Sequence, residues 1–484
     1  MEPLTKTLAG VPSPPDTRRD GVLGGVSTAE HVVGPSTQAP LRRLRWGILA
    51  TVGLLLGLGL VRVSYITGLW QRVVVEGPSM APGLCGASLR VVCEDCGFPF
   101  VCDAEHLPAE MQAVCPNCGY PDNSLQAAVL QPADRVLIDR WPLGWATAVP
   151  GDVVAVRLPQ AGGELAVKRV VARGGQRLSI RDGDLYLDGT LVRKTRQELA
   201  AVQVLVHDND YQPRKTAGLP PRWQPRSPAS HWSAHGTRLV FSPPASGPAA
   251  LADASPDAFD WLEYVHWPCT AQRRLRQTRS PVTDNDSYNQ SQTRPLNVVS
   301  DVLATCRLRV EGTGELALAA EDGPQRFVLV LQPGRRAVLY AGETNTVLLE
   351  RPLEIRFRHN PLDIQFGLVD QQVLLAVENR TIVRHPYERS SPAPQPSLRP
   401  LAIGARGLAV SLEHLRVWRD VYYLDPQGLS RPWDVPSEEE PRGLFLLGDN
   451  PPVSVDSRHW QPSRVALKDV LGRVYPAFWA ARHP

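Results

Sequence analysis

The segments ADRVLIDR (133–140), PGDVVAVRLP (150–159), LAVKRVVARGG (165–175) and QRLSIRDGDLYLDGTLV (176–192) decide the fold class. Their short runs of Val, Leu and Ile are punctuated by Pro150-Gly151, Gly174-Gly175, Asp182-Gly183 and Asp188-Gly189. Apolar runs bounded by such turn pairs predict a β-barrel or coiled β-sheet. The style returns at the C-terminus in RGLFLLGDN (442–450), DSRHW (456–460) and VLGRVYPAFW (470–479). One β domain is therefore expected from 70–195 and 436–484, wrapped around a large insertion.

Outward from that stretch, 196–295 loses periodicity. YQPRKTAGLPPRWQPRSPASHW (211–232) and SPPASGPAALADASPDAF (242–259) are turn-rich, which predicts a loop-rich linker. Period-two alternation reappears over 296–425, as in Leu353, Ile355 and Phe357, and again in Leu362, Ile364, Phe366 and Leu368. Strands with one apolar face predict an inserted two-sheet β-sandwich. By strand rhythm alone it resembles the concanavalin-like jelly rolls. The fold class expected is mainly β.

The chain has 484 residues, and its 52 basic against 49 acidic residues leave a net charge of +3. That balance gives no electrostatic footprint for a nucleic-acid partner. Lysine is scarce, standing only at Lys6, Lys168, Lys194, Lys215 and Lys468.

Trp46 to Val61 is an uncharged apolar run, continued past Arg62 as VSYITGLW. This is long enough to predict a single membrane helix over 46–69. The alternatives are a cleaved secretory signal and a buried soluble helix. The preceding 45 residues and the lack of a small-x-small motif after the run favour an anchor. Arg42, Arg43 and Arg45 before the run place the N-terminus in the cytoplasm by the positive-inside rule. Residues 1–45, rich in Pro, Gly, Ser and Thr, read as a disordered cytoplasmic tail. The remainder is expected outside.

Ser79 follows VVVEGP (73–78) at a turn, and Lys168 is flanked by apolar strand residues. A lysine buried in such a strand loses its proton readily, and a neutral amine can serve a serine nucleophile as its base. The bland readings are a turn serine and a solvated strand lysine. The ordered segments GPSMAPGL (77–84), DRVLIDR (134–140), PGDVVAVRLP with LAVKRVV, and LFLLGDNPPVSVDSRHW (444–460) resemble the successive boxes of the bacterial type I signal peptidases. These are membrane-anchored Ser/Lys endopeptidases that remove signal peptides from exported preproteins. The resemblance covers about a third of the chain.

The resemblance implies Ser79 as nucleophile and Lys168 as general base. It assigns Arg169, Asp449 and Arg458 to a supporting charged network and Gly448 and Asn450 to a Gly-Asp-Asn turn. Ser454 would hydrogen-bond the lysine, Asp456 lies in the matching Asp-Ser-Arg segment, and Met80 would contact substrate. It also implies a bacterial inner (cytoplasmic) membrane location, preproteins and the lipid bilayer as partners, and no cofactor for catalysis. The endoplasmic-reticulum branch has histidine where Lys168 stands. Gly77 departs from the serine that some members carry there, so a second oxyanion donor would be backbone or water. Trp141, Trp145, Trp460 and Trp479 are candidates for either the bilayer interface or the core.

Cys93-x-x-Cys96 and Cys115-x-x-Cys118, each followed by glycine, have the spacing of a zinc ribbon over 91–120. A pair of disulfides is the alternative in an extracytoplasmic setting. Cys85, Cys102, Cys269 and Cys306 have no evident partner. The sandwich is open to a carbohydrate, envelope or preprotein ligand. Two further readings are a self-cleaving repressor-type Ser/Lys protease, which the membrane run argues against, and a membrane-tethered binding protein on an inactive peptidase scaffold.

Overall fold

The computed structural model describes residues 38–66, 68–141, 148–158, 162–215, 219–244, 258–270, 278–342, 345–355, 360–389, 397–426, 428, 432–435 and 443–476. The expected tail up to residue 37, Trp145 and Trp479 lie outside them. The chain divides into two units, Met1–Val63 and Ser64–Pro484.

The described residues of the first unit belong to a helix over Gln38–Ile66. It starts earlier than the apolar run, since the Leu- and Arg-rich lead has high helix propensity. Within it, Leu44–Ser64 is long and apolar enough to cross a membrane, and none of it is buried by protein.

The second unit is built on sheets. One seven-stranded sheet runs in the order Trp70–Val74, Arg135–Asp139, Val470–Pro476, Val153–Leu158, Glu164–Arg173, Gly443–Leu447 and Val465–Ala466. Strands from both ends of this unit thus alternate in one sheet, and all pairings within it are antiparallel. Glu164–Arg173 lies inside the sheet, with Val153 opposite Arg169 on one side and Leu447 opposite Arg169 on the other. A four-stranded sheet of Thr190–Leu191, Asp184–Leu187, Arg177–Arg181 and Trp433–Asp434 adjoins it. They share a core of Ala172, Leu178, Ile180, Phe445 and Leu447.

The insertion forms a 13-stranded network whose trunk is Val302–Asp322 paired with Leu401–Arg419, from Val302 opposite Arg419 to Ala320 opposite Leu401. Bulges at Thr305/Arg307 and Gly312/Glu315 interrupt the trunk, and such bulges bend and twist long strands. The stretch expected as a linker belongs here. Val204–Asp208, Trp223–Pro225, Trp232–His235, Arg238–Phe241 and Asp260–Tyr264 all pair within this network. These strands are too short to show a period between their prolines. What binds them is the burial of Trp223, Trp232, Trp261 and Tyr264, and large aromatic rings supply much of a core's stabilisation.

Candidate active site

Ser79 sits half-buried in the turn after Trp70–Val74. Gly77 takes a left-handed φ of 72° there, and Gly86 packs so close that a Cβ on it would stand 2.9 Å from Gly77 N. The base of this loop is pinned by Asp134. Its backbone carbonyl accepts from Val75 N–H (2.8 Å), and its carboxylate accepts from Cys85 N–H (2.8 Å).

Lys168 reaches the serine from the interior of the seven-stranded sheet, with Nζ 2.7 Å from Ser79 Oγ. Only 5 % of Lys168 is exposed. Burial lowers its pKa from 10.5 to about 8, against the opposing pull of the Asp456 and Asp449 carboxylates. The ammonium is thus destabilised by its surroundings, and the amine is close to half-neutral at slightly alkaline pH.

The segment 448–458 folds under the serine. A Cβ on Gly448 would fall on Ser454 Oγ and on the Ser79 carbonyl oxygen, so only glycine lets the two segments touch. Asn450 N–H donates to Ser79 O (3.1 Å) and its side-chain amide donates to Pro78 O (3.0 Å). Ser454 Oγ donates to Asp456 Oδ2 at 2.8 Å. This hydroxyl is therefore tied to the carboxylate, where the sequence resemblance had it bonded to the lysine.

Two arginine–carboxylate forks brace the site. Arg169 Nε and Nη2 bind Asp449 at 2.7 and 2.6 Å, and Arg458 Nε and Nη2 bind Asp456 at 2.8 and 2.7 Å. Asp456 also accepts from Gly448 N–H at 3.0 Å. Burial by itself would raise the Asp456 pKa, but the neighbouring His459 and the hydrogen bonds from Arg458 hold it well below the usual carboxylate range. Met80 does not present its side chain to solvent. It is 1 % exposed and packs in the interior. Trp460 is a core residue, whereas Trp141 is exposed.

No sequence pattern marks Asn289, which lies in the low-periodicity stretch expected to be a linker. Its amide exchanges hydrogen bonds of 2.8 and 2.9 Å with the amide of Asn450. Gln290 next to it bonds both the N–H and the carbonyl of Val114 (2.9 and 3.1 Å), and Tyr288 O accepts from Asp103 N–H (3.0 Å). Residues 288–290 therefore link the Gly-Asp-Asn turn to the cysteine-bearing insert.

In that insert Cys93, Cys96, Cys115 and Cys118 converge with their sulfurs within 4.8 Å of one another, a group able to hold a metal ion. The two knuckles repeat one geometry. Gly97 N–H donates to Cys93 O (2.9 Å) and Gly119 N–H to Cys115 O (2.8 Å), with φ of 78° and 73° at the glycines. Cys93 Sγ is 3.6 Å from Cys118 Sγ, and Cys96 Sγ is 3.7 Å from Cys115 Sγ. Metal–sulfur bonds of about 2.3 Å in a tetrahedron put sulfurs about 3.8 Å apart, so the spacing fits four thiolates on one ion. All eight cysteines of the chain are buried.

Among solved structures the chain is similar to sheep galectin-11 in complex with glycerol, at 14 % identity over 25 % of this chain and 91 % of that one, with a TM-score of 0.18. A carbohydrate binding module from Bacillus subtilis matches at 9 % identity over 41 % of this chain and 93 % of that one, TM-score 0.20. Bacillus licheniformis beta-glucanase matches at 7 % identity over 43 % and 94 %, TM-score 0.25. Likenesses this slight do not bear on what the chain binds. No curated protein matches the chain. Residues 111–225, which contain Lys168 and Arg169, match the family model described as signal peptidase, peptidase S26, and this part of the chain is therefore similar to the signal peptidases.

Proposed function

We propose that the protein is a membrane-anchored serine endopeptidase that removes N-terminal signal peptides from exported preproteins. The observation that carries this reading is the 2.7 Å separation of Lys168 Nζ and Ser79 Oγ, in a site where burial lowers the lysine. Ser79 Oγ attacks the scissile carbonyl while neutral Lys168 takes its proton. The resulting ammonium returns that proton to the leaving amine, which completes an acyl ester on Ser79. Water then attacks the ester, giving a proton to Lys168, which passes it back to Ser79 Oγ as the new carboxylate leaves. The Ser79 N–H is offered to the oxyanion, with a water or a second backbone N–H beside it.

Arg169, Asp449, Asp456 and Arg458 act as positioning residues that hold the turn under Ser79 without touching the reacting atoms. The helix over Gln38–Ile66 would anchor the enzyme in a bacterial cytoplasmic membrane, with the N-terminus inside and the β domains outside. Zinc is the ion best suited to the four cysteines, and in a closed thiolate set its role is structural.

The test is cleavage of a model preprotein by the detergent-solubilised chain, its S79A variant and its K168A variant, with the new N-terminus sequenced. Cleavage after a small-x-small motif that disappears in both variants supports the reading. A folded wild type that cleaves none of several preproteins sinks it.

A further inference from the structure

A second buried cluster lies at the seam between the inserted sandwich and the four-stranded sheet. Asp301 immediately precedes Val302–Asp322, Asp370 follows Leu362–Val369, and Asp420 follows Leu401–Arg419. Because Val302 pairs with Arg419 and Leu303 with Gly367, these three acids fall at the same end of neighbouring strands. Asp184, which starts a strand of the four-stranded sheet, meets them. Oxygens of Asp184, Asp301 and Asp370 lie within 4.8 Å of one another.

Part of this charge is answered. Lys194 Nζ stands 2.5 Å from Asp370 Oδ1 and 2.8 Å from Asp420 Oδ2. Asp301 Oδ2 accepts from Asp370 N–H at 2.8 Å. The remainder is not. Asp184 Oδ2 and Asp301 Oδ1 find no hydrogen-bond donor among the described residues, although the two residues are only 6 % and 5 % exposed. Both border a small cavity, together with Asp182, Arg389, Tyr422 and Ser300, whose hydroxyl is also unpartnered among the described residues. Arg389 at the cavity's edge is engaged by Asp322 at 2.8 Å. Lys194 thus answers Asp370 and Asp420, while Asp184 and Asp301 each keep one buried oxygen without a donor beside this cavity. Buried carboxylates in that state require a cation or a proton.

We propose that Asp184, Asp301 and Asp370 bind a hard divalent cation of the calcium class. The donors are all oxygen, which excludes the soft metals that suit the four cysteines. Calcium accepts irregular oxygen sets at about 2.3–2.6 Å, so its ligand oxygens lie within about 5 Å of one another, a condition that these three carboxylates meet. The ion would tie the Asp182–Asp184 turn to the strand ends of the sandwich. This site is separate from the Ser79–Lys168 pair and does not depend on the peptidase reading.

The experiment uses the full chain in detergent with terbium(III) as probe, since Tyr422 at the cavity can sensitise its emission. We expect saturable emission that calcium displaces, weakened about tenfold or more in affinity in D184N and in D301N, equivalent to about 1.4 kcal/mol. Calcium should also raise the melting temperature of the wild type, because a ligand that binds only the folded state stabilises it. Emission that calcium does not displace, or that survives unchanged in both variants, overturns the proposal. Should the variants fail to fold, an unchanged wild-type melting temperature in millimolar calcium overturns it as well.

Discussion

Asn289 and Asn450 form a reciprocal amide pair, each donating to the other at 2.8–2.9 Å. Asn450 belongs to the turn whose N–H holds the Ser79 carbonyl, so a residue contributed by the insertion braces the proposed active site. Replacing Asn289 with alanine removes both bonds. At about 1 kcal/mol net for each, N289A should lower kcat/KM for a preprotein by about tenfold or somewhat more with the fold retained. An unchanged kcat/KM would make the pair incidental.

Activity should rise with pH. The amine of Lys168 serves as base only when neutral, and burial sets its pKa at about 8. The rate should therefore climb through a midpoint near that value, which a pH profile of kcat/KM reads directly. K168R should be inactive at every pH, since a guanidinium stays protonated.

The same depression governs stability. Between pH 8 and 10.5 the unfolded chain binds a proton at Lys168 that the folded chain releases, so this lysine makes stability rise with pH across that window. Below pH 8 both states hold the proton, and the folded state bears the whole cost of about 3 kcal/mol. K168M should thus be inactive yet more stable than wild type at neutral pH, which urea unfolding will show as a higher midpoint. A lower midpoint would contradict the assigned burial cost.

Gly448 admits no side chain, because a Cβ would fall on Ser454 Oγ and the Ser79 carbonyl. G448A must push the serine segment away from Lys168, and a misplacement near 1 Å costs about 100-fold in rate. Turnover should fall by that order while circular dichroism stays that of the wild type.

Asp456 and Arg458 have fully buried side chains. D456N leaves the guanidinium without its charge partner and should destabilise the fold by about 3 kcal/mol or more. Denaturant titration of the purified variant checks this, and a loss under 1 kcal/mol would mean that the fork is not needed.

The cysteine centre should hold one zinc per chain, measurable by elemental analysis, and C115S should lose it. Because Gln290 bonds Val114 beside Cys115 (2.9 Å), loss of the metal should also loosen Asn289 and depress activity roughly as N289A does.

Much of the organisation could be read from local sequence. The alternation in LAVKRVVARGG marks a strand, the Trp46–Val61 run marks a helix, and the two Cys-x-x-Cys pairs mark a group able to hold a metal, since each depends on neighbours a few residues apart. Ser79 and Lys168 stood out through the order of the segments around them and the scarcity of lysine. The contribution of 196–295 was hidden, because strands of three to five residues such as Trp223–Pro225 and Asp260–Tyr264 carry no period of their own. They become strands by pairing with the long Leu401–Arg419 strand or with each other.

By itself, the sequence determined the membrane-spanning candidate, the β character of both halves and the residue types that can do the chemistry. Only the tertiary structure decided that Lys168 meets Ser79, that Ser454 bonds Asp456, that Met80 is interior, and that Asn289 reaches Asn450. Lys168 and Ser79 are 89 positions apart, Asn289 and Asn450 are 161 apart, and Arg169 meets Asp449 across 280. They arise from burial and strand register across a whole sheet, which no local pattern encodes.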